Sequence, residues 1–221
     1  MSKTTIIRPG FVLIEDYFDP ETAEKWLEFI FRKGQDLNRG FHHPDVKPNR
    51  FHARPKYPVK KYMCLGLYWN PVDYIYYPVI PESELKPFPI PDFFIEFCET
   101  LKTELNLAKE FYPEAVMVNF YTQDSSMGMH IDKDEEDQKS PIIGVNFGST
   151  CRFLYEDEKG VTQEVRIPGN SLYIFGGPAR LMKHGVGTIY TKTVPQGQEK
   201  YFQNKERLNL TFRKVFLSDK I

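Results

Sequence analysis

Two histidines and one aspartate form the pattern in this sequence with the clearest chemical use. His130 and Asp132 are two residues apart, so both side chains point to one face if the stretch is extended. His184, on a distant strand, would complete a set of two imidazoles and one carboxylate. Such a set holds a metal on one side and leaves three positions open, as in non-haem Fe(II) sites. The alternative is a surface histidine beside an acid-rich loop, because His-x-Asp triplets are common by chance.

A second pattern lies near the end of the chain, where the segment 207–213 alternates strictly between polar and apolar residues. Its polar side chains are Arg207, Asn209, Thr211 and Arg213. Two arginines on one face could grip a dicarboxylate, because a guanidinium binds a carboxylate through two hydrogen bonds. Asn119 and Tyr121, on another strand face, could donate to the same anion. The alternative is an ordinary strand with a solvent-exposed outer face.

The elements that position these residues begin with a strand around 11–14 and a helix over 20–33. Asp19-Pro20-Glu21 supplies an N-cap, a first-turn proline and a first-turn acid for that helix. Apolar residues recur through it at helical spacing. The next predicted segments are a loop or set of hairpins over 34–61, a tyrosine-rich strand region over 62–77 and a second helix over 91–105.

The character of the sequence changes after residue 114. Short apolar or alternating segments there are separated by turn residues, a pattern typical of a sandwich or barrel. The predicted strands are 115–121, 142–147, 152–155, 164–167, 171–175, 184–190 and 208–216. We therefore predict an α+β fold, in which N-terminal helices buttress a double-stranded β-helix, or jelly roll.

Four sequence elements together resemble the AlkB family of Fe(II)- and 2-oxoglutarate-dependent dioxygenases. They have the patterns NxY, HxDxDE, RLxxHG and RxNLTFR, and they fit in order and spacing over about residues 115–214. In this sequence they are Asn119–Tyr121, His130–Glu135, Arg180–Gly185 and Arg207–Arg213. The resemblance implies oxidative demethylation of nucleic-acid bases such as 1-methyladenine and 3-methylcytosine. Fe(II) would be the cofactor, 2-oxoglutarate and O2 the co-substrates, and formaldehyde and succinate the products.

The resemblance also implies roles for single residues. His130, Asp132 and His184 are similar to the family's iron ligands. Arg207 would pair with the distal carboxylate of 2-oxoglutarate, with help from Asn209 and Tyr121. Arg213 and Asn119 would serve the carboxylate near the metal.

Substrate contacts are expected from a further group of residues. Asp134 would accept a hydrogen bond from the amino group of the damaged base and favour a cationic base, a catalytic and substrate-binding role. Arg180 would be a conformational or substrate-facing arginine, or else a surface arginine before a turn. Trp69, Tyr74 and Tyr76 are candidates to stack on a flipped base, although core packing is the usual place for such rings.

The formal net charge of −1 hides strong segregation. Residues 32–61 hold nine basic and two acidic residues, whereas 62–179 hold eight basic and nineteen acidic ones. A basic, proline- and glycine-interrupted segment suits a lid that grips phosphates, with Arg50 and Arg54 among the contacts. The alternative is a charge-rich loop that is merely solvated. The predicted organisation is one domain, 1–221: N-terminal strand and helix (1–33), nucleotide-recognition lid (34–80), buttressing helix (91–106) and dioxygenase core (114–217).

Composition excludes some classes and leaves others open. No apolar run is long enough for a membrane span, and we expect no signal peptide. Three widely spaced cysteines suit a reducing compartment, so we expect an intracellular monomer, cytoplasmic or nuclear, whose partner is DNA or RNA. One alternative is a 2-oxoglutarate oxygenase acting on a protein or small molecule, and another is a non-catalytic binding module on the same fold.

Overall fold

The computed structural model describes residues 2–44, 61–105, 111–122, 125–203 and 205–217. These residues form two α-helices, α1 (Pro20–Gly34) and α2 (Asp92–Glu104), and a short 3-10 turn at Gly177–Ala179. The strands are β1 (Lys3–Arg8), β2 (Phe11–Glu15), β3 (Lys61–Gly66), β4 (Tyr68–Asn70), β5 (Ile75–Tyr77), β6 (Ala115–Tyr121), β7 (Met127–His130), β8 (Ile142–Gly148), β9 (Cys151–Glu156), β10 (Thr162–Ile167), β11 (Ser171–Phe175), β12 (His184–Ile189) and β13 (Arg207–Arg213).

Two antiparallel sheets face each other and make the jelly roll. The large sheet has seven strands in the order β1-β2-β11-β8-β13-β6-β3, and the small sheet has four in the order β10-β9-β12-β7. A separate hairpin pairs β4 with β5. Both helices pack their apolar faces on the large sheet, so the predicted α+β jelly roll with buttressing helices is confirmed.

Helix α1 begins where the sequence predicts and for the predicted reason. The Asp19 carboxylate accepts a hydrogen bond from the Thr22 backbone N–H at 2.9 Å, which satisfies a donor that the first turn leaves free. Pro20 follows at the first helical position. The buried face of the helix consists of Ala23, Trp26, Leu27 and Ile30. Among the described residues neither helix is long and apolar enough to cross a membrane.

An aromatic cluster joins the two helices to the large sheet. The Trp26 ring of α1 lies 4.2 Å from Phe94 and 5.0 Å from Phe97, both on α2, and 6.1 Å from Phe212 on β13 (centroid distances). Phe18 packs on the same indole at 4.9 Å. These side chains are at most 9% exposed, so the cluster fixes the outer face of β13.

Strand β13 separates an apolar face from a polar one. Its leucines and Phe212 pack in the helix–sheet core. Its polar residues are also buried: Arg207 is 1% exposed, Asn209 7%, Thr211 4% and Arg213 6%. The alternative of a polar face exposed to solvent is therefore wrong, because the small sheet covers the polar side of β13.

Three features of the fold differ from the sequence prediction. Strands β1 and β7 were not predicted, and the tyrosine-rich region 62–77 contains three strands rather than one. Strand β3 lies inside the predicted lid, 34–80, yet it is the edge strand of the large sheet and pairs with β6. The segment predicted as a lid therefore contains one strand of the core sheet, because β3 pairs with β6 although the two are far apart in the sequence.

Trp26→Ala tests the helix–sheet contact. Because the substitution empties the centre of the aromatic cluster, we expect the free energy of unfolding to fall by about 3–5 kcal/mol. Chemical denaturation of the two proteins measures the difference. Leu37→Ala, at a side chain that is 99% exposed, is the control and should leave stability unchanged. A small loss at Trp26 would show that the helices do not support the sheet.

Candidate active site

Strand pairing brings the His130, Asp132 and His184 side chains together. His130 is the last residue of β7 and His184 the first of β12, and the two are directly paired across the strands. Their imidazole Nε2 atoms lie 3.5 Å and 3.6 Å from the two carboxylate oxygens of Asp132. One ligand atom from each residue lies within 4.8 Å of the others. A nitrogen–nitrogen–oxygen donor set of this size fits one metal ion.

Backbone carbonyls set the orientation of both imidazoles. The Nδ1 atom of His130 lies 2.9 Å from the Gly128 carbonyl oxygen, and that of His184 lies 2.9 Å from the Met182 carbonyl oxygen. Nδ1 must carry the proton to donate these bonds, so both Nε2 lone pairs face Asp132. Burial also lowers the pKa of His184, which favours the neutral form that binds metals.

Arg213 keeps the Asp132 carboxylate charged. Burial by itself would raise the pKa of Asp132, but the Arg213 guanidinium and the two imidazoles hold it well below its usual range. Nη2 of Arg213 lies 3.0 Å from the Asp132 carboxylate. An anionic oxygen is therefore available between the two imidazoles without an acidic proton to displace.

Glu135 is the buried residue that the sequence interpretation left without a role. One of its oxygens accepts from Arg213 Nη1 at 2.6 Å, and the other accepts from Arg180 Nη2 at 3.0 Å. The Tyr76 hydroxyl donates to the first oxygen as well, at 2.5 Å. Its signal in the sequence was its place at the end of the His130–Glu135 motif. Glu135 thus joins the metal-ligand loop to β13.

A cavity of about 780 Å³ opens beside the triad. Most of the predicted co-substrate residues line it, namely Asn119, Tyr121, Asn209 and Arg213, together with Thr211. Arg207 is not among the lining residues. Its Nη1 donates to the carbonyls of Ser149 and Ile167, and its Nη2 donates to Asn146 Oδ1 at 2.5 Å. Asn146 Oδ1 also accepts a hydrogen bond from the cavity-lining residue Asn209. Arg207 is therefore linked to the cavity wall indirectly, through the side-chain amide of Asn146.

The mouth of the cavity combines an aromatic ring with an acid. The Trp69 indole N–H donates to the Asp134 carboxylate at 2.9 Å, and both residues line the cavity. Burial raises the pKa of Asp134, and the Trp69 hydrogen bond offsets part of that rise. Tyr74, which is 59% exposed, lines the same opening with its ring centroid 5.9 Å from Trp69. Two of the three predicted stacking candidates, Trp69 and Tyr74, therefore line the cavity that holds the triad.

Tyr76 and Arg180 lie elsewhere than the sequence interpretation expected. Tyr76 is 8% exposed and its hydroxyl is bound to Glu135, so its ring belongs to a buried cluster and not to the cavity wall. Arg180 is 4% exposed and donates to the Asp132 carbonyl at 2.6 Å. Both side chains donate to the loop that follows His130: Tyr76 and Arg180 to the Glu135 carboxylate, and Arg180 also to the Asp132 carbonyl. They therefore hold this loop in place and do not line the cavity.

The remaining expected substrate residues, Arg50 and Arg54, lie outside the described residues, as does most of the basic segment. Their contact with phosphates stays a prediction from the sequence. The three cysteines Cys64, Cys98 and Cys151 are buried and form no disulfide bond, and burial raises the pKa of the Cys98 thiol to about 12. They pack among apolar side chains.

A jelly roll that holds two imidazoles and a carboxylate above a polar, arginine-bearing cavity defines the class of non-haem Fe(II) oxygenases. The sequence model of the 2OG-Fe(II) oxygenase superfamily matches residues 10–213. The chain belongs to this superfamily and, through the relatives that follow, to its AlkB family. Members use Fe(II), 2-oxoglutarate and O2, as the sequence predicted.

Relatives support this assignment at modest identity. The Arabidopsis thaliana DNA N(6)-methyladenine demethylase ALKBH1C is 29% identical over 95% of this chain and 49% of its own length. The Escherichia coli alpha-ketoglutarate-dependent dioxygenase AlkB is 28% identical over 64% of this chain and 63% of its own. The chain spans about half the length of the plant relatives that it matches.

Solved structures agree with the sequence comparisons. The structure of OsALKBH1 superposes with a TM-score of 0.80 at 28% identity, over 95% of this chain and 100% of that chain. A prolyl-4-hydroxylase from Pseudomonas putida has a TM-score of 0.52 at 13% identity and shares the fold alone.

His184→Ala tests the metal site. Removing one of three ligands should weaken Fe(II) or Mn(II) binding by more than about 100-fold, since even groups supporting a ligand are worth 10–100-fold. Anaerobic calorimetric titration measures the affinity. His42→Ala changes a histidine outside the triad and should bind the metal like the unmodified protein. Equal metal affinity in both variants would refute the triad.

Glu135→Gln tests the buried ion network. Because Arg180 and Arg213 lose their shared anion in a site closed to water, we expect the free energy of unfolding to fall by about 3 kcal/mol. Denaturant unfolding monitors the change. The matched control is Glu164→Gln, which breaks a 2.6 Å pair with Arg152 whose side chains are 45% and 59% exposed. That loss should stay below about 1 kcal/mol, and equal losses would contradict the network.

Proposed function

We propose that this chain is an Fe(II)- and 2-oxoglutarate-dependent dioxygenase that demethylates N-alkylated bases in DNA or RNA. Its substrates are of the 1-methyladenine and 3-methylcytosine type, and its products are the repaired base, formaldehyde, succinate and the CO2 lost from 2-oxoglutarate. The observation that carries the proposal is the pairing of Trp69 with Asp134 at the mouth of the cavity that holds the triad.

The interior residues divide the task between metal and co-substrate. When bound by His130, Asp132 and His184, Fe(II) supplies the oxygen activation that couples conversion of 2-oxoglutarate to succinate with oxidation of an N-methyl group. Arg213 neutralises Asp132 and, with Asn119, binds the carboxylate near the metal. Arg207 provides positive charge behind Asn209 for the distal carboxylate. The buried cavity excludes water, and it orients 2-oxoglutarate and the N-methyl group relative to each other.

The mouth residues recognise the base. Enzymes that act on a base in nucleic acid must take it out of the stack, and an aromatic ring then replaces the lost stacking. Trp69 supplies that ring, with Tyr74 beside it and His130 on the opposite wall. Asp134, held by the indole N–H, accepts from an exocyclic amino group and favours a positively charged base. A methylated, cationic adenine or cytosine satisfies both requirements.

The named activities of relatives support a nucleic-acid substrate. They include DNA N(6)-methyladenine demethylases of Arabidopsis thaliana and the tRNA demethylase abh1 of Schizosaccharomyces pombe. We infer that DNA or RNA is the partner and that the chain acts inside the cell as a monomer. Three buried cysteines without a disulfide bond are consistent with a reducing compartment. A protein or small-molecule substrate is the second candidate, since the interior residues would serve it equally.

The decisive assay measures formaldehyde release from oligonucleotides that carry 1-methyladenine, 3-methylcytosine or N6-methyladenine. Each is offered as single- and double-stranded DNA and RNA, with and without Fe(II) and 2-oxoglutarate. Release that needs both additions and depends on the methylated base supports the proposal. Conversion of 2-oxoglutarate without demethylation of any oligonucleotide would favour the second candidate.

Asp134→Asn tests base recognition in the same assay. The variant loses the anion but keeps the shape, so turnover of the cationic bases should fall about tenfold or more, the usual worth of a charged hydrogen bond. Binding of 2-oxoglutarate should not change. Asp73→Asn, at a hairpin carboxylate that bonds Tyr77 outside the cavity, is the control. An unaltered preference among the bases would remove the role assigned to Asp134.

A further inference from the structure

Tyr173 is a cavity residue that neither the sequence motifs nor the comparisons assign. It lies on β11 of the large sheet, and its ring lines the cavity together with Tyr121 and Asn209. The side chain is 4% exposed, so it is enclosed by protein everywhere except toward the cavity.

A glycine on the neighbouring strand makes the space for this ring. Gly144 of β8 is paired directly with Tyr173, and a Cβ built on Gly144 would lie 2.1 Å from the Tyr173 Cζ atom. Any larger residue at 144 would push the phenol out of its position. The ring therefore occupies the room that a side chain from β8 would otherwise fill.

The Tyr173 hydroxyl has a hydrogen to donate. It accepts a hydrogen bond from Asn209 Nδ2 at 3.3 Å, and its own hydrogen has no acceptor within the described parts of the chain. Burial raises the pKa of Tyr173 above its usual range, so the hydroxyl keeps its proton at every physiological pH. Buried donors are rarely left without an acceptor, so this hydroxyl is available to donate to a ligand in the cavity.

The surroundings select an anion for that ligand. Asn209 Nδ2 donates to Asn146 Oδ1 at 3.1 Å, and the same oxygen accepts from Arg207. The amide oxygen of Asn146 is thus saturated by donors, and the charge of Arg207 stands behind it. Tyr121, whose side chain also lines the cavity, adds a second phenol. Donors and positive charge converge here, as a carboxylate requires.

We propose that the Tyr173 hydroxyl donates a hydrogen bond to the distal carboxylate of 2-oxoglutarate, which makes Tyr173 a co-substrate-binding residue. The inference rests on the proposed use of 2-oxoglutarate but not on the nucleic-acid substrate. Gly144 acts with Tyr173, because it permits the ring position from which the hydroxyl reaches the carboxylate beside Asn209.

Tyr173→Phe tests the inference, since it removes only the hydroxyl. Calorimetric titration of the Mn(II)-loaded protein with 2-oxoglutarate, in the absence of any nucleic acid, gives the dissociation constant. We expect this constant to rise about tenfold, the effect of one hydrogen bond to a charged group. The metal affinity and the thermal midpoint should stay as in the unmodified protein. A dissociation constant within a factor of two would overturn the inference.

Two further arms make the result specific. Tyr155→Phe, in the same inter-sheet cluster but outside the cavity lining, should bind 2-oxoglutarate normally. With 2-oxopentanoate, which lacks the distal carboxylate, the unmodified protein and Tyr173→Phe should bind equally weakly, and a persisting difference would place the hydrogen bond elsewhere. If the unmodified protein fails to bind 2-oxoglutarate, the proposed function fails, whereas normal binding by Tyr173→Phe refutes only the role of Tyr173.

Discussion

The buried contact of Arg213 with Asp132 and Glu135 is the interaction on which the site depends. Two carboxylates and a guanidinium are taken out of water here, at a cost that only close pairing can offset. The second oxygen of Glu135 accepts a hydrogen bond from Arg180, whose guanidinium also donates to the Asp132 and Ser140 carbonyls. The loop that carries the aspartate ligand is thereby fixed to β13 on one side and to the turn before β12 on the other.

This constraint explains how one strand can contact the triad and also line the cavity for the proposed co-substrate. The outer face of β13 is anchored by the Trp26 cluster, so its inner face has little freedom to shift. The inner face then presents Arg213 at the triad and Asn209 farther along the cavity. A rigid strand therefore holds these two polar side chains at a fixed separation along the cavity. The positions of Arg213 and Asn209 therefore depend on the apolar packing on the opposite side of the sheet.

The sequence was sufficient for those parts of the site that local periodicity determines. Alternation in 207–213 predicted the polar inner face, and the His-x-Asp spacing predicted two of the three ligands on one side. Glu135 received no role and the buried contacts of Tyr76 and Arg180 were not predicted, because the partners in these contacts lie 45 to 78 residues apart and only the tertiary fold brings them together. Tyr173 was missed for the same reason: its position depends on a glycine in another strand.

The proposed recognition of a base depends on residues at the mouth of the cavity. The superfamily match extends over residues 10–213 and the fold is shared with a prolyl-4-hydroxylase, so the jelly roll and its triad do not by themselves specify a nucleic acid. The β4–β5 hairpin is outside both main sheets, and it carries Trp69 and Tyr74. Asp134, in contrast, follows the metal-ligand aspartate by two residues. One hydrogen bond between Trp69 and Asp134 therefore ties the hairpin to the loop that carries Asp132, so the position of the hairpin at the cavity depends on that loop.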